Sequence, residues 1–487
     1  MNPTPVDLAV LGAGPCGLGL SLFAQQKGFR VQVFEAQNRA GGKMSSQLED
    51  GFVVEKGPQG WLDREAAVRQ ACQLLDLKPM EAAPLASTRY VYRNGRLVAL
   101  PTGPGAFFRS PMLSLPGKFR LLSEPFRKAK GDHEDESVWD FGCRRLGKEA
   151  TEVLLDAVVS GIFAGNIQKL SMPAAFPLLT ELEREGGSMF RGMIARRKAA
   201  KKAAAEGKPS GSGGLPMGRA KLFSFPEGMS RFGEQAQQHF GDDLRLGIGI
   251  DRMDQEDGIW HLYSGNQEVG CARQVAFTLP ASATAKILRP QLPELSNTVG
   301  VFPADDMSVV SLAFPVEQTQ NIPQGYGFVA ARSQGLRALG IQFVHHFFPA
   351  HVPKGTALLR VMFGGSQDPQ ILELSDAQLL EEAHATLSNL FNIEAQAERH
   401  WVHRIAQAVP QYNLGHLARV ASFEQAVNSL PGLHLAGDSF FGVGVNAAFR
   451  RAADVVDQLE AKDSITATSS PASRPEAVGS PSAGPER

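Results

Sequence analysis

Val6-Asp7-Leu8-Ala9-Val10-Leu11-Gly12-Ala13-Gly14-Pro15-Cys16-Gly17-Leu18-Gly19-Leu20-Ser21-Leu22-Phe23-Ala24 runs from a short apolar strand through three spaced glycines into a segment with helical spacing. This is a G-x-G-x-x-G loop in a strand-turn-helix setting. Gly12 permits the tight turn, Gly14 lets the backbone approach a pyrophosphate, and Gly17 lets helix and strand pack closely. The helix N-terminus then presents free N–H groups and a partial positive charge to the phosphates. A second strand, Val31-Gln32-Val33-Phe34, ends at Glu35, at the spacing where a carboxylate accepts hydrogen bonds from an adenosine ribose. The ligand expected from this constellation is a dinucleotide.

The following residues favour FAD over NAD. Gly41-Gly42-Lys43 lies just beyond Glu35, and Glu55-Lys56-Gly57-Pro58 follows a short strand at Gly51-Phe52-Val53-Val54. Two glycines and a cation allow a second backbone segment to cover the pyrophosphate of a flavin held along its full length. The arrangement resembles the glutathione-reductase-like flavoproteins related to the amine oxidases.

Composition bounds the rest. A chain of 487 residues, 43% hydrophobic, has room for two or three domains, and a net charge of −1 gives no general attraction to nucleic acid. No apolar run approaches the ~20 residues needed to span a bilayer, and Met1-Asn2-Pro3-Thr4-Pro5 lacks the basic and apolar regions of a signal peptide, so a cytoplasmic location is expected. Cys16, Cys72, Cys143 and Cys271 form no C-x-x-C pair and read as inert thiols. His345-His346 and His400-x-x-His403 carry no accompanying carboxylate or thiolate cluster. Adjacent histidines on a strand would also point to opposite faces, so no metal site is expected. No Ser/His/Asp constellation can be assembled, and no catalytic side chain is assigned.

Two segments depart from globular composition. Arg184 to Gly214 passes through Arg191, Arg196, Arg197, Lys198, Lys201 and Lys202 among alanines, then through Gly207-Lys208-Pro209-Ser210-Gly211-Ser212-Gly213-Gly214. It reads as a basic helix end followed by a flexible linker. The tail after about Lys462 is rich in Pro, Ser, Ala and Gly and reads as disordered. Between loop and linker, Trp139 to Val159 has helical periodicity. After the linker, Leu244 to Ile250 and Ile259 to Tyr263 read as strands of a hairpin, and Val275 to Leu279 as a strand feeding a helix from Ala281 to Leu288. Leu433-His434-Leu435-Ala436-Gly437-Asp438 reads as a strand ending in Gly-Asp, and Gly442-Val443-Gly444-Val445-Asn446 opens a helix from Ala447 to Leu459. Distant parts of the chain thus build one cofactor fold. Asp438 is expected at the flavin ribityl or pyrophosphate, and the N–H groups of Gly444 and Val445 at its pyrimidine edge.

From Val6 to about Leu459 the chain resembles the FAD-dependent protoporphyrinogen oxidases of haem biosynthesis. The motifs that carry the resemblance are Gly57-Pro58-Gln59-Gly60-Trp61-Leu62-Asp63-Arg64-Glu65, Arg144-Arg145-Leu146-Gly147-Lys148-Glu149-Ala150, and Gly161-Ile162-Phe163-Ala164-Gly165-Asn166, with Leu170-Ser171 and Phe176-Pro177 after it. To these are added Pro410-Gln411-Tyr412-Asn413-Leu414-Gly415-His416 and Gly442-Val443-Gly444-Val445-Asn446. The resemblance implies that protoporphyrinogen IX loses six electrons and six hydrogens in three two-electron cycles on one noncovalent FAD, each reoxidised by oxygen to hydrogen peroxide. It also implies an apolar slot for the macrocycle with a few polar groups for its propionates. Gly161 and Met362 match family positions beside the macrocycle, Leu339 and Phe343 are placed there less directly, and Gln59 stands where some members carry a propionate-pairing arginine. Gln59 can donate a hydrogen bond but supplies no charge, which leaves Arg64 and Lys56 as alternative cations. The cofactor set implied is Gly12, Gly14, Gly17, Glu35, Ala36, Gly42, Lys43, Gly57, Pro58, Ile250, Gly437, Asp438, Gly444 and Val445.

The expected fold is α/β plus α. A discontinuous glutathione-reductase-like FAD-binding domain takes residues 1–85, 222–296 and 400–462, and a mixed-sheet substrate domain takes 86–103 and 297–399. A helical membrane-binding insertion takes 104–213, and 463–487 is a disordered tail. Coproporphyrinogen III is an alternative substrate of the same chemistry. An amine oxidase or carotenoid desaturase sharing the flavin domain is a second class, with Phe440-Phe441 the local echo of the paired aromatics of amine oxidation, and a porphyrin carrier retaining FAD is a third. Apolar residues beside cations, in Phe107 to Leu122 and in Met189, Phe190, Met193 and Ile194 next to Arg191, Arg196 and Arg197, suit peripheral binding to the cytoplasmic face of the inner membrane. A homodimer and hand-over of the porphyrin to ferrochelatase are compatible with the resemblance.

Overall fold

Leu8 and Val10 are buried in one core and Ala9 and Leu11 in another, the alternation required of a strand covered on both faces. The computed structural model describes residues 4–130, 135–205 and 220–468. Val6–Leu11 runs parallel to Val31–Glu35 on one side and to Gln267–Phe277 on the other. Leu244–Leu246 lies outside Val31–Glu35, and Leu433–Leu435 runs beside the end of Gln267–Phe277. Helices Pro15–Gln26 and Val445–Thr468 cover one face, meeting where a Cβ on Gly19 would stand 2.7 Å from Phe449. Pro15–Gln26 is buried on every side from Cys16 to Ala24, which explains why its sequence carries no polar stripe. Helices Ala281–Leu288 and His416–Asn428 cover the other face.

A second sheet orders Arg399–Pro410, Ala304–Pro315, Thr356–Gly364, Gly340–Phe343, Gly327–Ala330, Arg89–Arg93 and Arg96–Ala99. It is mixed, because Gly327–Ala330 runs parallel to Arg89–Arg93 while the other ladders are antiparallel. Val310, Leu312, Phe314, Ile341, Leu359, Val361 and Phe363 pack toward helix Asp376–Phe391, so the alternate residues of the same strands form the opposite face. Between the sheets in sequence come the helices Pro104–Arg109, Leu115–Leu122, Val138–Arg145, Asp156–Phe163, Pro177–Gly186 and Met189–Ala205. Buried Glu124 organises them. It pairs with Arg145 and accepts from the N–H of Met189 at 3.0 Å, which caps the Met189–Ala205 helix.

Several expectations are corrected. Leu244 to Ile250 is not a hairpin partner of Ile259 to Tyr263. Gly247, at φ +70°, ends a short strand parallel to Val31–Glu35, and Ile259–Ser264 pairs instead with Arg252–Glu256. The turn between those two is Asp257-Gly258, both at positive φ, which is the Asp-Gly hairpin signal. His345 and His346 lie on the short helix Val344–Phe347 with ring centroids 4.1 Å apart, rather than on opposite faces of a strand. The boundary expected at 400 falls inside the strand Arg399–Pro410, which belongs to the second sheet. The last helix runs from Val445 to Thr468, past the expected end of order at Lys462. The linker expected from Gly207 to Gly214 and the tail from 469 onward lie outside the described residues.

Candidate functional site

The three loop glycines do different work. Gly12 sits at φ +103°, with a Cβ position 2.8 Å from Leu279, and a Cβ on Gly17 would stand 1.9 Å from the Gly12 carbonyl oxygen. Both positions are closed to side chains by the protein's own packing. Gly14 is the N-cap of helix Pro15–Gln26, its backbone extended at φ −77° and ψ −179°, and its Cβ position has no protein atom within 4 Å. The protein's own packing leaves that space open, as a pyrophosphate approaching the helix N-terminus requires. Gly444, at φ +94° immediately before helix Val445–Thr468, has the same open space. Two helix N-termini therefore end in glycines that face open space, each offering N–H groups and the positive end of a dipole.

The intervening pieces are tied together across the chain. Gly41 donates to the Ala13 carbonyl at 2.8 Å, and a Cβ on Gly42 would stand 2.9 Å from the Gly14 Cα, so the second glycine pair lies directly on the loop. A Cβ on Gly57 would stand 2.0 Å from the Lys43 carbonyl, so the next segment lies against the first. Lys43 Nζ donates to Asp438 Oδ2 at 2.9 Å, joining the N-terminal segment to the one that opens the last helix. Glu35 ends its strand with Oε2 accepting from Ala13 N–H at 2.8 Å and Oε1 from Gln37 N–H at 2.9 Å, which holds the carboxylate beside the loop with lone pairs to spare. Ile248 donates to the Glu35 carbonyl at 2.9 Å, which ties the segment two residues before half-buried Ile250 to that strand end; Ala36 is exposed and Pro58 half-buried. Gly437 packs where a Cβ would meet the Leu279 carbonyl at 2.5 Å, and Val445 is buried.

Tyr412 serves this site as well. Its buried hydroxyl donates to the Asp438 carbonyl and accepts from the Gly442 N–H at 2.7 Å, fixing the loop between the last short strand and the last helix. The sequence carried it only as part of the Pro410 to His416 motif.

The second wall comes from the face of the second sheet opposite helix Asp376–Phe391, part of which is covered by Phe52, Phe347 and Phe348. Cross-strand register places Val329, Gly340, Met362, Val309 and His403 in one row, and Gly327, Gln342, Arg360, Ser311 and Trp401 in the next. A Cβ on Gly161 would stand 2.7 Å from Val329, so helix Asp156–Phe163 presses its backbone onto the row that contains Met362. Gly161 and Met362 thus share a face. Leu339 is buried just before its strand and donates to the Met362 carbonyl at 2.8 Å. Phe343 is corrected: three residues beyond Gly340, it lies on the other face, fully buried against Phe391 of helix Asp376–Phe391. Period-two alternation excludes it from the Met362 face.

Burial governs the polar groups between the walls. Gln59 is 5% exposed, and neither atom of its amide has a partner. His403 is pushed down to about 4 by burial, with Lys56 and Arg360 adding to the shift, and Glu55 is pushed up to about 7 by burial. Lys56 is half-buried, and Arg64 is exposed on the turn after Trp61–Leu62. Phe440 is buried against Phe302 and Phe423, and the Phe441 ring lies 3.5 Å under the Arg451 guanidinium, so packing already occupies that aromatic pair. Burial holds the Cys16 and Cys72 thiols up at about 12, which makes them inert. Among the described residues no group of three or more His, Cys, Asp or Glu side chains is placed to hold a metal.

The family model described as flavin containing amine oxidoreductase matches residues 20–459. The coproporphyrinogen III oxidase of Bacillus subtilis (strain 168) is 27% identical over 486 residues, covering 96% of this chain and 99% of that protein. The chloroplastic protoporphyrinogen oxidase of Nicotiana tabacum is 28% identical over 474 residues, covering 93% of this chain and 85% of that protein. A crystal structure from Exiguobacterium sp. 255-15, assigned as a protoporphyrinogen oxidase, shares the fold with a TM-score of 0.77 at 22% identity, covering 95% of this chain and all of that one. The glycine-lined cradle fits a flavin dinucleotide, and the cofactor is FAD. With cradle, fold and family model in agreement, the protein is an FAD-dependent oxidoreductase, and the chain belongs to the flavin containing amine oxidoreductases.

Proposed function

We propose that this enzyme oxidises a porphyrinogen to a porphyrin, protoporphyrinogen IX to protoporphyrin IX, with oxygen as electron acceptor and coproporphyrinogen III as the alternative substrate. The observation that carries the reading is the apolar row Val329, Gly340, Met362 and Val309, faced by the backbone at Gly161. A row of this kind suits a broad, flat hydrophobic ring better than a small amine. FAD supplies the two-electron oxidation when bound. The chain's own residues bind and orient. Gly14, Gly42 and Gly57 bring backbone against the dinucleotide, and the Lys43–Asp438 pair and Tyr412 hold the segment before the last helix. Gly161 and Met362 line the ring, with Leu339 behind Met362 and Gln59 offering polar contact from its buried amide. The discontinuous part made of 1–85, 222–296 and the C-terminal segment that holds Asp438, Gly444 and Val445 carries the cofactor, and the second sheet carries the substrate.

The test is anaerobic. The purified yellow protein is mixed with protoporphyrinogen IX and, separately, with coproporphyrinogen III, and flavin absorbance and porphyrin fluorescence are followed together. Bleaching of the flavin with matching porphyrin formation is expected. A flavin that stays oxidised with both substrates would refute the reading.

We also propose peripheral attachment to the cytoplasmic face of an anionic inner membrane, where a poorly soluble porphyrin can be exchanged. Phe126 is 83% exposed, Phe119 67%, Leu115 64% and Phe108 51%, and exposed Arg109 and Arg127 stand among them. Met112, Leu113 and Met189, counted with this surface from the sequence, are core instead. Among the described residues no helix is long and apolar enough to cross a membrane, so attachment is interfacial. Co-sedimentation with anionic liposomes is expected at low salt, weakened at high salt and lost in a Phe119→Asp, Phe126→Asp double variant. No binding by the wild type at either salt would refute attachment.

A further inference from the structure

Arg360 does not belong to the packing of its strand. Ala357, Leu358, Leu359, Val361 and Phe363 of Thr356–Gly364 are buried apolar residues, yet at 360 the strand buries a guanidinium, 5% exposed, on the face it shares with Met362. Its Nη2 donates to the Gly57 carbonyl at 2.6 Å and its Nη1 to Gln342 Oε1 at 2.8 Å, with Met362 Sδ 3.9 Å from Nη1. Its Nε has no partner. Both strong acceptors are neutral, and Glu55, the carboxylate that acts on it, does so without contact and is itself held partly protonated by burial. A buried cation is ordinarily paired with an anion. Among the described residues no carboxylate touches Arg360, so its buried charge has no anion in contact.

The surroundings suit one kind of anion. Two residues along from Gly57, buried Gln59 has both amide atoms unpartnered, and Ser311, directly opposite Arg360 in register, has an unpartnered hydroxyl. Arg360 and Ser311 lie in the row next to that of Met362 and Val309, which is the setting for a carboxylate carried on a hydrophobic body. The pyrimidine edge of a bound cofactor, the other candidate for negative charge, would be served by the N–H groups that open helix Val445–Thr468. We propose that Arg360 pairs with a propionate of the substrate, with Gln59 donating a second hydrogen bond. The cation comes from the substrate-facing sheet rather than from the segment over the cofactor, and it sets the enzyme's requirement for a free acid. The proposal rests on the porphyrinogen reading.

The test uses the flavin-loaded full chain with protoporphyrinogen IX and its dimethyl ester. The wild type is expected to favour the free acid by about tenfold or more in kcat/KM, the discrimination a charge-assisted pair supplies. Arg360→Met should raise KM for the acid by about tenfold while changing turnover of the ester less than about twofold, and Arg360→Lys should recover part of the loss. Flavin content should stay close to that of the wild type, since Arg360 meets the cofactor segment only through the Gly57 carbonyl. A wild type that oxidises acid and ester equally would overturn the proposal without any variant, so it stands testable even if Arg360→Met fails to fold. Equal loss on both substrates with a shifted potential would overturn it in favour of a role toward the cofactor. A wild type that oxidises neither compound would bring down the porphyrinogen reading, and this proposal with it.

Discussion

A Gly14→Val protein is expected to fold and to purify colourless. The Gly14 backbone is extended at φ −77° and ψ −179°, a conformation valine adopts without strain, and its Cβ position meets no protein atom within 4 Å. The added side chain starts in the space at the helix N-terminus, where the pyrophosphate must approach the backbone. FAD affinity should fall by about a hundredfold or more, roughly 2.7 kcal/mol. Thermal stability should match that of the flavin-stripped wild type, because the variant loses only the stabilisation that ligand binding confers. Gly17→Val is the contrasting control: its Cβ would stand 1.9 Å from the Gly12 carbonyl oxygen, so it should fail to fold rather than fold without flavin. Full flavin absorbance in purified Gly14→Val would refute the assignment of this loop.

Met362→Lys is expected to remove porphyrinogen turnover and leave the protein yellow. Met362 lies in the apolar row between Gly340 and Val309, and its sulfur stands 3.9 Å from Arg360 Nη1. An ammonium there is desolvated against the ring and repelled by the guanidinium. Turnover should fall by about a hundredfold, the effect of roughly 2.7 kcal/mol on a barrier. Flavin content should remain nearly that of the wild type, because the residue belongs to the second sheet and not to the glycine segments at the two helix N-termini. Met362→Leu, close in volume and apolar, should retain most activity. Unchanged turnover in Met362→Lys would remove this residue from the site. Loss of flavin together with activity would indicate damage to the fold instead.

The cofactor half of this protein was legible in its sequence because local chemistry specifies it. A strand, three glycines at fixed spacing, a helix and a terminal Glu35 must lie within one short unit to bind a dinucleotide, and the structure builds that unit from Val6–Leu11, Pro15–Gln26 and Val31–Glu35. The helix at Ala281–Leu288 and the glycine-opened helix after Gly444 were legible for the same reason. Where local signals competed, the sequence misled. The apolar run from Leu244 was broken by Gly247 at φ +70°, and the Asp257-Gly258 turn, not that run, formed the hairpin.

The substrate half depended on pairings that sequence spacing does not encode. Whether Met362 and Phe343 share a face is set by antiparallel register between two strands. That register puts Gly340 opposite Met362 and Phe343 opposite Leu359, so an odd offset sends Phe343 to the far side. Lys43 meets Asp438 only after the chain ends are brought together by the central sheet, and Tyr412 meets Gly442 only once the last short strand and the last helix are in place. Arg360 carried no signal in the sequence reading. That it is buried, held to the Gly57 carbonyl and without a carboxylate in contact is a property of tertiary packing alone, because only folding decides which charges are taken out of water and what is left beside them.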